Sequence, residues 1–328
     1  MVRQISFLAF AVSLTSSAVA ADLADYRRPL TIPFEKVTPY SPQLATLGKM
    51  LFFDPRLSGH KNMTCASCHN PSFGFETPVK TPIGAQNTAL DRQAPTVLNM
   101  AWVSPNFWDG RAATLEEQAL GPIVADVEMN GKIDVIVDEM KKVPDYERWF
   151  SEVFPGEGVS QNSVLIALAT YERTIVSSWS PFDRWVDGDE SAVSESAKRG
   201  FEVFTGKAGC SFCHSGWNFT DNKFHDIGLP SEDVGRAKLE PDNPEALHAF
   251  KTPGLRNTLY RGPYMHDGSL ASMEEVIAHY ESGGISRPSL SPAMLPLSLT
   301  DQDRLDLMAF LGTLTAEKQD VPLPTLPN

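Results

Sequence analysis

The sequence predicts a mostly α-helical protein with long irregular loops. Apolar residues recur at helical spacing in six segments, and alternating strand patterns are scarce. The 25 prolines and 22 glycines fall mainly between the periodic segments. A length of 328 residues suits two domains of ordinary size. We predict an N-terminal domain at residues 21–180 and a C-terminal domain at residues 181–328, with the boundary at Ser180-Pro181.

Residues 1–20 are predicted to be a secretory signal peptide. Arg3 precedes an apolar run at residues 7–12, and Ala18-Val19-Ala20 matches an A-x-A cleavage site. The run is shorter than the roughly 20 apolar residues that a membrane helix needs, and no later segment approaches that length. A buried N-terminal helix is the alternative. We therefore expect a soluble periplasmic protein without a membrane span.

The predicted helices carry apolar residues at i, i+3 and i+4, and several begin with a serine or threonine at the capping position. They cover residues 115–120, 133–140, 163–176, 194–204, 273–280 and 300–314.

Two copies of the pattern Cys-x-x-Cys-His use all four cysteines of the chain. This is the attachment pattern for c-type haem, in which two thiols form thioethers and the adjacent histidine binds the iron. A redox dithiol or half of a zinc centre is the alternative, but neither needs a histidine at this place. We therefore predict two covalently bound haem c groups, at Cys65, Cys68 and His69 and at Cys210, Cys213 and His214.

The formal net charge of −13 argues against nucleic acid or an anionic membrane surface as a partner. It is compatible with docking against a basic patch on another protein.

The supply of further iron ligands is uneven along the chain. No histidine lies between His69 and His214, and the sulfur ligands there are Met100, Met129 and Met140. An electron carrier keeps both irons six-coordinate. If the first iron lacks a distal ligand, it can bind peroxide or oxygen instead.

Several motifs resemble bacterial di-haem cytochrome c peroxidases, over residues 47–314. The resemblance implies two cytochrome c-like helical domains with one c-type haem in each, a calcium ion between them, and hydrogen peroxide as a substrate. The motifs are Phe107-Trp108-Asp109-Gly110-Arg111, Phe250-Lys251-Thr252-Pro253-Gly254-Leu255-Arg256-Asn257 and Pro263-Tyr264-Met265-His266-Asp267-Gly268.

Two departures make the chain resemble the MauG-like branch of that family. Where peroxidases that need reductive activation have Ile-Gly-His, this chain has Ile83-Gly84-Ala85. Where those peroxidases have a methionine fourteen residues after the motif histidine, this chain has Tyr280 (280 − 266 = 14). The resemblance implies a five-coordinate, peroxide-reactive first haem and a second haem ligated by His214 and Tyr280. Met294 is an alternative ligand.

The resemblance also assigns catalytic residues. Trp108 is expected between the two haems, and Glu128 is expected to be the acid–base group that handles the peroxide protons. Gln118 and Pro122 match the other residues of the distal pocket. Without the surrounding motifs, Trp108 is an ordinary core residue and Glu128 a surface carboxylate.

For calcium, the resemblance implies the side chain of Gln93 and the backbone carbonyls of Arg261 and Pro263. Relatives have asparagine at the first of these positions, and glutamine is longer by one methylene, which affects how well it reaches the ion.

Three functions stay open. The first is a MauG-like oxidase that uses hydrogen peroxide, or oxygen plus electrons, to form a high-valent di-haem state that oxidises aromatic residues of a periplasmic partner protein. The second is a cytochrome c peroxidase supplied with electrons by a small redox protein. The third is a non-catalytic di-haem electron carrier.

The identity of the partner protein also stays open. Relatives have a tryptophan two residues before the second motif, as the exit for oxidising equivalents, but this chain has Ala208. Trp217, Trp179 and Trp185 are the candidates for another exit. The resemblance to the MauG-like branch implies methylamine dehydrogenase as a partner protein, but with a different exit the partner can be another protein.

Overall fold

The computed structural model describes residues 22–34, 40–318 and 320–328, and the predicted signal peptide lies outside these residues. The described chain is mostly helical, as predicted. Its strands are one short antiparallel pair, β1 (Phe224–His225) and β2 (Phe250–Lys251). Its α-helices are α1 (Pro42–Phe52), α2 (Cys65–Cys68), α3 (Leu115–Val124), α4 (Ile133–Met140), α5 (Pro144–Val153), α6 (Gln161–Thr174), α7 (Pro181–Val186), α8 (Glu195–Thr205), α9 (Met273–Ser282) and α10 (Asp301–Thr313).

Each of the six predicted helices is present. Four further helices, α1, α2, α5 and α7, were not predicted. Of these, α1, α5 and α7 have a proline at the first position. Proline suits that position because its missing N–H would have had no partner within the helix. At α1 a capping signal was also present, since the Ser41 hydroxyl accepts a hydrogen bond from the Leu44 N–H at 3.1 Å.

Two hydrophobic clusters form the core, each around a crossed pair of helices. In the first, α1 packs on α6 at Gly48, where a Cβ atom would lie 1.8 Å from the Ala167 carbonyl oxygen. In the second, α8 packs on α10 at Gly200, where a Cβ would lie 1.9 Å from the Asp306 carbonyl oxygen. Glycine therefore allows both close crossings. The predicted domain boundary stays a prediction.

We call the chain before residue 181 the first half and the chain from residue 181 onward the second half. The two halves contain an internal structural repeat with an offset of 158 residues (257 − 99 = 158). It starts at Asn99 and Asn257, which both adopt the left-handed conformation, with φ of 63° and 61°. It ends with α3 and α9, two ten-residue helices capped by Thr114 and Ser272. The intervening loops share a 3₁₀ turn and one antiparallel bridge, at Asn106–Ala112 and at Tyr264–Leu270.

Candidate functional site

The first Cys-x-x-Cys-His motif borders a cavity of about 410 Å³. Its cysteines lie at the two ends of the one-turn helix α2, so both thiols come from the same short turn. The His69 Nδ1 atom lies 3.3 Å from the Phe75 carbonyl oxygen, and burial lowers the pKa of this histidine. A neutral imidazole whose Nδ1 is already engaged presents Nε2 to a metal.

The second motif has the same arrangement at a cavity of about 210 Å³. Here the His214 Nδ1 atom lies 3.0 Å from the Phe219 carbonyl oxygen, and burial again lowers the pKa of the histidine. Two cavities, each with a cysteine pair and an oriented neutral histidine, fit the requirements of c-type haem.

The thiols themselves are unsuited to redox chemistry. Burial raises the pKa of Cys68 and of Cys213 to about 11, whereas a reactive dithiol needs a lowered pKa. Among the described residues, one group could hold a metal ion through side chains of this kind, namely Cys213 with Asp221 and His225. A thioether at Cys213 would occupy the sulfur that this group needs.

The residues predicted for the distal pocket come together at the first cavity. Gln118 and Pro122 lie four residues apart on α3 and both line the cavity, as does Glu128 in the loop that follows. Burial raises the pKa of Glu128, and the positive charge of Arg111 opposes this rise. The carboxyl group therefore exchanges its proton at a higher pH than an exposed glutamate does.

The loop at Ile83-Gly84-Ala85, which has alanine where peroxidases that need reductive activation have histidine, packs directly on the segment that contains Glu128. The N–H of Ala85 donates to the Glu128 carbonyl oxygen at 2.7 Å, and the Ala85 side chain is buried. At Gly84 a Cβ atom would lie 2.0 Å from the Val127 carbonyl oxygen. This loop therefore fixes the backbone that carries Glu128.

Tyr280 projects from α9 into the second cavity. Its hydroxyl forms no hydrogen bond with the part of the chain that the structure describes, and burial raises its pKa. In the internal repeat Tyr280 occupies the position of Pro122 (280 − 122 = 158), so the equivalent place in the first cavity has no ligand atom. Met294, the alternative ligand, also lines the second cavity.

Trp108 lines both cavities. Its indole N–H donates to the Gln93 carbonyl oxygen at 2.8 Å, and its own carbonyl accepts a hydrogen bond from the Lys251 N–H at 2.8 Å. Hydrogen bonds from residues of both halves therefore hold the ring and its backbone where the cavities meet.

The three residues expected at a calcium site line the second cavity together. The amide nitrogen of Gln93 donates to the Thr77 carbonyl at 3.4 Å, and this leaves its side-chain oxygen for another partner. The carbonyls of Arg261 and Pro263 accept no hydrogen bond from the described residues. Side-chain amide and backbone carbonyl oxygens are ligands of the kind that calcium prefers.

The tryptophans considered as exits differ in their surroundings. Trp185 is buried, whereas 46% of Trp179 is exposed. Trp217 packs edge-to-face on Trp102 with ring centroids 4.8 Å apart. The guanidinium of Arg28 lies 5.9 Å from the Trp179 ring and 5.6 Å from the Trp217 ring. Sequence reasoning missed Trp102, because its contact with Trp217 spans more than a hundred residues.

Sequence reasoning also missed Glu172, a buried carboxyl group on α6 that lines the first cavity. Burial raises its pKa to about 8, and its Oε2 atom has no hydrogen-bond partner among the described residues. The neighbouring Arg173 pairs with Glu116 on α3 at 2.7 Å. No local pattern around Glu172 marks it, since its burial depends on how α6 packs against the rest of the first half.

Within the described residues, no helix is both long enough and apolar enough to cross a bilayer.

Comparison with known proteins identifies the family. Residues 42–191 match the family model of di-haem cytochrome c peroxidases. The chain is 49% identical to the methylamine utilization protein MauG of Methylorubrum extorquens, over 97% of this chain and 92% of that one. It is 46% identical to the protein of the same name from Methylophilus methylotrophus, over 92% and 91% of the two chains.

A solved structure agrees with this assignment. The crystal structure of a MauG-like protein associated with microbial copper homeostasis superposes with a TM-score of 0.81 at 31% identity, covering 88% of this chain and 95% of that one. The chain therefore belongs to the di-haem cytochrome c peroxidase family, in its MauG-like branch, and is a di-haem oxidoreductase.

Proposed function

We propose that the protein uses hydrogen peroxide to oxidise aromatic residues of a periplasmic partner protein, with one haem c attached at each Cys-x-x-Cys-His motif. The observation that carries this proposal is Trp108, which borders both cavities, one containing Glu128 and the other Tyr280. The bound haems supply the redox chemistry with peroxide. The protein side chains supply proton transfer, ligation and a path for electrons.

At the first site Glu128 acts as the acid–base group. It accepts the proton of one peroxide oxygen and returns it to the other oxygen, which leaves as water when the O–O bond breaks. Complete reduction of the peroxide takes two electrons and two protons and yields two water molecules. Gln118 and Pro122 shape the pocket from the same face of α3.

At the second site Tyr280 and His214, which line the same cavity, would be the two protein ligands of the iron. A phenolate is an anionic oxygen ligand and stabilises oxidised iron, so this site suits the storage of an oxidising equivalent. Burial raises the pKa of the Tyr280 phenol, and a bound metal ion would favour its deprotonated form.

Trp108 passes electrons between the two sites. Its indole is hydrogen-bonded to the Gln93 carbonyl, an acceptor that favours an electron-poor ring. For the exit we propose Trp217, three residues after His214, with Trp102 in contact with it. This pair replaces the exit that relatives have at the position of Ala208.

We further propose a calcium ion held by the side-chain oxygen of Gln93 and the carbonyls of Arg261 and Pro263. Its role is structural, since it joins a residue of the first half to two of the second. The ion would complete its shell of 6–8 oxygens with water.

We also propose a periplasmic location, following removal of residues 1–20. The location rests on the A-x-A cleavage site and on the haem motifs, because bacteria attach c-type haem outside the inner membrane.

A peroxidase that reduces hydrogen peroxide with electrons from a small redox protein is the second candidate. It is favoured by Met294, which lines the second cavity beside Tyr280 and would give the sulfur ligation of a reducible haem.

One experiment separates the two functions. We expect mass spectrometry to find two haem additions on a chain that starts after residue 20. The fully oxidised protein should react with peroxide without prior reduction. Trp108→Phe should leave that reaction intact at the first site, while oxidation of the partner protein falls by at least tenfold. A requirement for prior reduction would favour the peroxidase, and zinc instead of haem would refute both.

A further inference from the structure

Lys251, on the short strand β2, lines the second cavity. Its backbone N–H donates to the Trp108 carbonyl oxygen at 2.8 Å, so the strand is tied to the residue that borders both cavities. Its side-chain amine donates to the Pro105 carbonyl oxygen at 2.7 Å. An ammonium group has three donors, and this contact uses one of them.

Lys251 differs from the other strong bases at this cavity in having no counter-charge. Arg261 pairs with Glu76 at 2.6 Å, and Arg287 pairs with Asp226. Across the described chain, no carboxylate pairs with Lys251. Burial alone lowers its pKa to about 8.

A haem attached at Cys210 and Cys213 would bring two carboxylates, its propionates, to the edge opposite the thioethers. Carboxylates enclosed by protein need a cation or several hydrogen-bond donors. The two arginines at this cavity already have acidic partners, which leaves Lys251 as the base with donors to offer.

We propose that Lys251 binds a propionate of the second haem. The proposal rests on the proposed haem attachment and adds a residue to which the sequence comparison assigned no role. It is specific to the second half, because the neutral Gln93 lies six residues before Asn99, where the first copy of the repeat starts, just as Lys251 lies six residues before Asn257.

The test compares Lys251→Met with Lys251→Arg and with a control, Lys223→Met. Lys223 is an exposed lysine near the same motif, so solvent screens its charge. Loss of the Lys251 charge should favour the oxidised iron and lower the midpoint potential of the second haem, whereas Lys251→Arg should restore the potential. Resonance Raman spectra should show a shifted propionate bending mode in Lys251→Met, with the iron–ligand bands unchanged.

Haem content separates this proposal from the proposed function. If the wild-type protein lacks two haems per chain, the proposed function fails. If Lys251→Met retains both haems and its potential and propionate mode equal those of wild type or of Lys223→Met, the propionate assignment is overturned. Should Lys251→Met lose the second haem, Lys251→Arg decides. If Lys251→Arg retains the second haem and its propionate mode is shifted relative to wild type, the assignment is supported. If the propionate mode of Lys251→Arg equals that of wild type, the assignment is overturned.

Discussion

Replacing Glu128 with glutamine tests the acid–base assignment most directly. The substitution keeps the shape of the side chain and removes its ability to carry a proton to or from peroxide. Removal of one general acid–base group slows a reaction by roughly 10²–10⁴-fold. At 1.36 kcal/mol per tenfold change, this corresponds to about 2.7–5.4 kcal/mol in the barrier.

The structure argues against Asp109 as a replacement for Glu128. Asp109 also lines the first cavity, but ion pairs with Arg92 and Arg111 hold it, and they lower its pKa. Asp109 is therefore a weak base, and we expect the full loss in Glu128→Gln.

The pH dependence gives the assignment a second signature. A general base works when deprotonated, so the rate in the wild type should rise with pH through the raised pKa of Glu128. Glu128→Gln should lose this rise. Arg111→Met should move this rise in rate to higher pH. The positive charge of Arg111 opposes the effect of burial on the pKa of Glu128, so its removal should raise that pKa further.

The assay is stopped-flow absorbance of the oxidised protein mixed with peroxide, at several peroxide concentrations and between pH 5 and pH 9. Asp126→Asn is the matched control, since Asp126 is an exposed carboxylate two residues away. A Glu128→Gln rate within twofold of wild type, or an equal loss in Asp126→Asn, would refute the acid–base role.

Three further predictions concern other parts of the site. Tyr280→Phe should change the low-spin EPR signal of the second haem and leave the high-spin signal of the first haem unchanged. Loss of the low-spin signal in Met294→Leu instead would identify the Met294 sulfur as the ligand. Glu172→Gln should raise the melting temperature of the holoprotein at pH 8.5 but not at pH 5. The folded state holds the Glu172 proton up to a pKa of about 8, so stability falls as pH rises from the unfolded pKa toward that value. Each kcal/mol gained is worth about 2–4 °C, and equal shifts at both pH values would contradict the explanation. Trp217→Phe should slow oxidation of the partner protein by at least tenfold without changing the reaction with peroxide. Replacement of the buried Trp185 by phenylalanine should change neither reaction. Equal effects of the two substitutions on oxidation of the partner protein would exclude Trp217 as the exit.

The sequence was sufficient for the features that depend on nearby residues. Helical periodicity located six helices, and the spacing of Cys65, Cys68 and His69 defined a haem motif without any tertiary information. The helices that begin with proline escaped notice because proline marks loop starts as often as helix starts.

Features that depend on folding could not be predicted in this way. Lys251 and Trp108 are 143 residues apart (251 − 108 = 143), and nothing in either motif announces their hydrogen bond. The internal repeat was equally hidden. Its two copies keep the asparagine, proline and Asp-Gly positions that shape the turns, while most of their other residues differ.

The repeat has a consequence for how such a protein can evolve. Two copies of one module offer equivalent positions on equivalent helices, and on the proposed ligation a single such position decides whether an iron is open or closed. In the proposed function, Pro122 leaves one copy free to receive a small oxidant, and Tyr280 gives the other copy a permanent ligand. A duplicated gene could therefore divide its labour through very few substitutions. Exchanging these two residues would show how much of that division depends on one helical position and how much on the surrounding cavity.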